Sequence, residues 1–129
     1  MFPFHFSFVA VAQVSIIRPE KDHPAQLRAF AQLLADHPSY TSGSTSVKLF
    51  LLGGARNEDD HARVQSLRDL AKELDITPHV QFIVNASYPE MLGWLAMASI
   101  GLSTMVDEHF GINVVEFMVQ ISCFDCFVL

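Results

Sequence analysis

The stretch VKLFLLGGARNEDDHARVQSLRDLAKEL, Val47 to Leu74, decides the fold. Its first six residues are apolar on both alternating sets except for Lys48, the pattern of a strand covered on both faces. Gly53-Gly54 closes that run, and Glu58-Asp59-Asp60 opens a segment in which Val64, Leu67, Ala71 and Leu74 recur at helical spacing. Acidic residues favour the positive end of a helix, so a strand, a glycine turn and an amphipathic helix follow one another. This is one unit of a parallel α/β sheet.

The same unit repeats on either side. Upstream, Phe8 to Ile17 (FVAVAQVSII) reads as a buried strand ended by Arg18-Pro19. His23-Pro24 then begins a helix with Leu27, Phe30, Ala31 and Leu34 on one face, proline standing where its missing N–H is harmless. Asp36 to Ser46 (DHPSYTSGSTS) has no apolar period and is expected to be a mobile surface loop. Downstream, Val80 to Val84 (VQFIV) predicts a third strand. Ser87-Tyr88-Pro89-Glu90 has the spacing of a capping box for a helix over Pro89 to Met97, and Ser99 to Ser103 predicts a fourth strand. A further helix is expected near Ile112. Strands alternating with helices predict a parallel Rossmann-like sheet with helices on both faces.

Composition narrows the function. A chain of 129 residues that is 50% hydrophobic and 17% charged builds one core at most and is expected to fold. The net charge of -6 argues against a general nucleic-acid binder, because phosphate contacts require a basic surface. Cys123 and Cys126 form one C-x-x-C near the end of the chain, too few ligands for a structural zinc site. Met1 to Ile17 has no basic n-region, carries His5 and Gln13, and is shorter than the ~20 residues that span a bilayer. No D-x-D element stands ready for a divalent ion, and no metal ligands are assigned; Glu58-Asp59-Asp60 is explained by its place at a helix start. Trp94 falls on an apolar helix face with Met91 and Leu95 and reads as core, and His23 reads as structural.

Ligands of parallel sheets bind at the carboxyl ends of strands, which selects Arg18 to Asp22 and Thr104 to Gly111. In the second segment Glu108 precedes Gly111, which lets backbone approach a ligand, and a helix start at Ile112 offers free N–H groups to phosphate. Glu116 would lie about one turn into that helix, within reach of vicinal ribose hydroxyls.

Glu108 and Glu116 form an E-x7-E motif within MVDEHFGINVVEFM, Met105 to Met118, and in this context the chain resembles the retaining GT-B glycosyltransferases. Ala12 to Leu34 (AQVSIIRPEKDHPAQLRAFAQLL) and Leu51 to Leu74 are similar to the dolichol-pathway alpha-1,2-mannosyltransferases. The resemblance implies the C-terminal, donor-binding domain of such an enzyme, here incomplete. It implies GDP-mannose as donor, a dolichol-linked oligosaccharide as acceptor, and retention at the anomeric carbon. It assigns Arg18 and Lys21, the R-x-x-K element, to the donor diphosphate. A forked guanidinium and a flexible ammonium can together follow a leaving diphosphate as its charge grows. Glu108 becomes the catalytic candidate, facing the sugar, while His109, Phe110, Gly111, Ile112 and Glu116 shape the donor site.

The likeness covers Val9 to Met118. The leader, residues 1–7, and the tail VQISCFDCFVL, residues 119–129, depart from the family, leaving 8–118 as a partial nucleotide-sugar-binding domain. The expected setting of the full-length parent is the cytosolic face of the endoplasmic reticulum membrane, and membrane association is expected of that parent only. The isolated chain is expected to lack the acceptor domain and therefore to be inactive. The competing expectation is a non-catalytic fragment that binds nucleotide sugar or a partner protein.

Overall fold

A computed structural model describes residues 8–16, 21–43, 46–103 and 126–128, with side chains described over 21–43 and 46–102. Strand β1 is Phe8–Ile16, helix α1 His23–Asp36, β2 Ser46–Gly54, α2 Glu58–Glu73, β3 Val80–Val84, α3 Tyr88–Met97, β4 Ile100–Ser103 and β5 Cys126–Val128. All strand pairs are parallel, in the order β3-β2-β1-β4-β5. The helix expected near Ile112 lies outside the described residues.

The apolar run of β2 has two faces to fill. Val47, Leu49 and Leu51 pack with Leu27, Phe30 and Leu34 of α1 and with Val64, Leu67 and Ala71 of α2. Phe50 and Leu52 turn the other way, toward Leu95 and Ala98, with Trp94 tilted over Phe50 at 4.9 Å between ring centres. Side chains that alternate at period two are therefore buried twice, which is why this strand lacks a polar face. Trp94 is half-buried and packs against this cluster from its apolar helix position.

Each helix start is capped from the sequence. Ser87 and Glu90 form the full capping box of α3: Ser87 Oγ accepts from Glu90 N–H, and Glu90 Oε2 accepts from Ser87 N–H at 2.9 Å. Asn57 caps α2 by accepting from Asp60 N–H at 2.9 Å. At the other end of α2, Asp75 adopts φ 58, its N–H donating to Lys72 O while Ile76 N–H donates to Ala71 O. That pair of bonds is the Schellman arrangement, with the buried Ile76 sealing it.

Two features differ from the sequence expectation. Within the polar Asp36 to Ser46 stretch, Pro38–Thr41 forms a 3-10 helix, and His37 stacks on Tyr40 at 5.0 Å. Proline fixes φ for the first residue of such a turn, and Tyr40 packs against the core, giving the loop an anchor that composition does not reveal. In the tail, Cys126–Val128 adds a fifth strand beside β4, where the open edge of β4 presents unpaired backbone groups.

Candidate functional site

Strand order locates the binding edge. From β1 the chain passes through α1 to β2 on one side and then to β3; after α3 it returns across β1 to place β4 on the other side. β1 and β4 are neighbours, with Val11 opposite Ile100 and Ala12 opposite Gly101, and both point the same way. The topological switch falls between them, and a crevice outside their carboxyl ends is where such sheets receive ligands.

Both segments singled out from the sequence follow these two strands. Arg18 and the run containing Glu108, His109, Phe110, Gly111, Ile112 and Glu116 lie outside the described residues. Lys21 is described: it is half-buried at the entrance to α1, beyond the carboxyl end of β1.

The turn after Lys21 is built tightly. Asp22 takes a left-handed conformation, φ 49 and ψ 51, and caps α1 through its carboxylate, which accepts from Ala25 N–H at 3.3 Å. Aspartate tolerates this region because its short polar side chain bonds locally. His23, the first residue of α1, is 2% exposed. Burial first and the nearby Lys21 charge second, partly opposed by Asp22, hold its imidazole down at about 4. His23 is neutral at pH 7, so the positive charge at this corner comes from Lys21, set against the Asp22 carboxylate that already caps the N-terminal end of α1.

Two residues at or near this edge were not singled out by sequence reading. Asn85, just past β3 at φ 57, brackets the backbone of Ala55 with its side-chain amide and donates its own N–H to Gly53 O at 2.9 Å. The loops leaving β2 and β3 are thereby tied together. An asparagine directly after a strand, opposite a Gly-Gly turn, was the available sign. Asp60 is the other: 2% exposed, it accepts from Arg56 N–H at 3.0 Å and pairs with Arg63 at 3.0 Å and Arg56 at 3.8 Å. Helix-start preference explains Glu58 and Asp59, which are exposed, whereas Asp60 closes the β2–α2 loop. The bond from the Arg56 backbone, together with the two guanidinium groups and against the effect of burial, holds its carboxyl below the usual range. Among the described residues no group of three or more metal-ligating side chains gathers.

Comparisons with known proteins agree with this geometry. Residues 9–120 match the family described as glycosyl transferases group 1. The GDP-Man:Man(3)GlcNAc(2)-PP-Dol alpha-1,2-mannosyltransferase of Homo sapiens is 47% identical over 118 residues, covering 92% of this chain and 23% of the human protein. The protein of the same name from Dictyostelium discoideum is 44% identical, covering 84% of this chain and 21% of its own length. The chain thus spans less than a quarter of the length of these relatives. Among solved structures, a UDP-forming alpha,alpha-trehalose-phosphate synthase from Burkholderia xenovorans superposes with a TM-score of 0.76 at 15% identity, over 91% of this chain and 28% of that one. Anabaena Alr3699/HepE, solved with UDP and glucose, gives 0.69 at 20% identity over 88% and 28%. At such identities the likeness shows the shared GT-B fold. Since the family match spans residues 9–120, from β1 through β4 and the sequence that follows each, the chain belongs to the glycosyl transferases group 1 family.

Proposed function

We propose that this chain is the donor-binding part of a retaining GDP-mannose-dependent alpha-1,2-mannosyltransferase whose acceptor is a dolichol-linked oligosaccharide. The observation that carries the reading is the 47% identity over 118 residues to an enzyme of that name, across the strands that flank the switch point. The setting this implies for the whole protein is the endoplasmic reticulum membrane. Among the described residues no helix is long and apolar enough to cross a membrane.

In this reading Lys21 and Arg18 face the donor diphosphate. Lys21, beside the N-terminal end of α1, offsets charge as GDP departs, which favours the transition state over the bound donor. Glu108 faces the sugar as the catalytic candidate. His109, Phe110, Gly111 and Ile112 line the loop against the sugar phosphate, and Glu116 accepts hydrogen bonds from the ribose. The neutral His23 adds no second charge, and its burial anchors the helix start that Lys21 precedes.

Calorimetric titration of the purified chain with GDP, GDP-mannose and UDP-glucose tests this. Binding of the two guanine ligands, abolished by Arg18→Ala and by Glu116→Ala, is the expected outcome. Equal binding of UDP-glucose, or full binding by both variants, would refute it.

A further inference from the structure

The sheet ends at β3, and among the described residues no strand pairs with its outer side. Between that edge and α2 runs a groove of about 320 Å³. Val80 and Phe82 of β3 line it on one side and Gln65, Arg68, Ala71 and Lys72 of α2 on the other, with Thr77 between the two elements. A second hollow of about 210 Å³, sharing Val80 and walled by Lys48 and His79, continues around the start of the strand.

The charged side chains that line the two hollows are basic, while Asp69 and Glu73 of α2 stand outside the lining. The chain carries -6 overall, yet Lys48, Arg68 and Lys72 gather here. Arg56 and Arg63 pair with Asp60 at the other end of α2, and among the described residues neither Arg68 nor Lys72 enters an ion pair. The Arg68 guanidinium instead lies 5.7 Å over the Phe82 ring, presenting a cation and an apolar face together.

An isolated anion would satisfy only donors, whereas a strand edge presents alternating N–H and C=O groups that another backbone alone can pair. We propose that the β3 edge docks an extended acidic segment of a partner protein as an added strand. Its backbone pairs along Val80–Val84, one apolar side chain lies on Phe82, and carboxylates meet Arg68 and Lys72. Five residues of β3 correspond to a peptide span of roughly 17 Å. Backbone bonds supply affinity in such strand addition, and the alternating pockets select sequence. The groove lies toward the start of β3, away from the carboxyl edge where the donor is placed, so both can be occupied at once.

The test is fluorescence anisotropy of the purified chain with a labelled peptide of alternating glutamate and valine. Its controls are a lysine-valine counterpart, an N-methylated acidic peptide that cannot add as a strand, and phosphatidylserine vesicles. The acidic peptide should bind and slow amide exchange along β3, and N-methylation should weaken it at least ~10-fold, a loss of a few hydrogen bonds. Arg68→Glu with Lys72→Glu, both exposed positions, should weaken binding by a similar factor, and Arg68→Gln with Lys72→Gln by less. GDP-mannose titration of the charge-reversed chain should be unchanged, which separates this surface from the donor site. No binding, equal binding of the N-methylated peptide, indifference to charge reversal, or binding of the vesicles in place of the peptide would each overturn it.

Discussion

Asn85 and Ala55 hold each other through a closed pair of hydrogen bonds: Asn85 Oδ1 accepts from Ala55 N–H at 2.9 Å and Asn85 Nδ2 donates to Ala55 O at 3.0 Å. The partners are 30 residues apart in sequence, so the bracket joins loops leaving two different strands. It replaces, beyond the end of the sheet, the ladder bonds that β2 and β3 no longer make. Only an amide presents a donor and an acceptor together in this way. A Cβ built on Gly54 would sit 3.9 Å from Asn85 Oδ1, an ordinary contact, so the glycine leaves space beside the bracket.

Asn85→Ala removes both bonds while keeping a side chain at φ 57. The expected loss is about 2 kcal/mol, near 1 for each net hydrogen bond, read from urea denaturation. Asn85→Asp should be at least as damaging, because a second carboxylate oxygen would face the Ala55 carbonyl. Asn85→Gly should lose less than Asn85→Ala, since glycine accepts the left-handed conformation without strain.

Asp60 should matter most where its carboxyl is ionised. Its folded pKa lies below the ordinary value, so the stabilisation is present above about pH 4, the unfolded value, and is lost as pH falls through the lower folded value. Asp60→Asn should lower the melting temperature at pH 7, where the native chain has both guanidinium partners in place. The gap between native and variant should narrow as the pH is taken below 4. A gap that is constant with pH would show that the charge on Asp60 contributes nothing.

How much of this was legible depended on how far each signal reached along the chain. Period and capping are local, so VKLFLL, VQFIV and the Ser87-Glu90 box announced their elements to within a residue or two. The fold class followed from their alternation. Contacts across the sheet are not local: nothing in the sequence pairs Asn85 with Ala55, and Asp60 in an acidic run resembles any helix start until its burial is seen. Cys126–Val128 was passed over for a similar reason, because a three-residue strand is specified by the edge it joins more than by its own composition. Of the donor-site residues, the motif spacing carried the whole argument, and Lys21 is the one whose surroundings the structure describes.

The end of α2 offers a stabilising change. Asp75 occupies the left-handed position of a Schellman turn, usually glycine, and lies C-terminal to a helix whose negative end it faces. Asp75→Gly removes both the Cβ strain and the unfavourable charge. A gain of roughly 0.5–1 kcal/mol is expected by chemical denaturation, less glycine's added freedom in the unfolded chain. Asp75→Ala, which keeps the strain and gives up the charge, should fall below Asp75→Gly.

His23 makes the chain acid-sensitive in a window well above that of its carboxylates. In the unfolded chain the imidazole takes a proton near its ordinary 6.5; in the folded chain burial and the Lys21 charge delay this to about 4, despite Asp22. Between these values the unfolded state alone binds the proton, so lowering the pH pulls the equilibrium toward unfolding. The full difference is on the order of 3 kcal/mol, since each pH unit in the window is worth about 1.4. Stability measured by urea titration should therefore be level above pH 7 and fall from about 6.5 downward. His23→Gln keeps a polar side chain of similar length and cannot titrate, so it should be less stable at pH 7 through lost packing yet show a much shallower slope between 6.5 and 4. An unchanged slope in that variant would assign the acid sensitivity to groups other than His23.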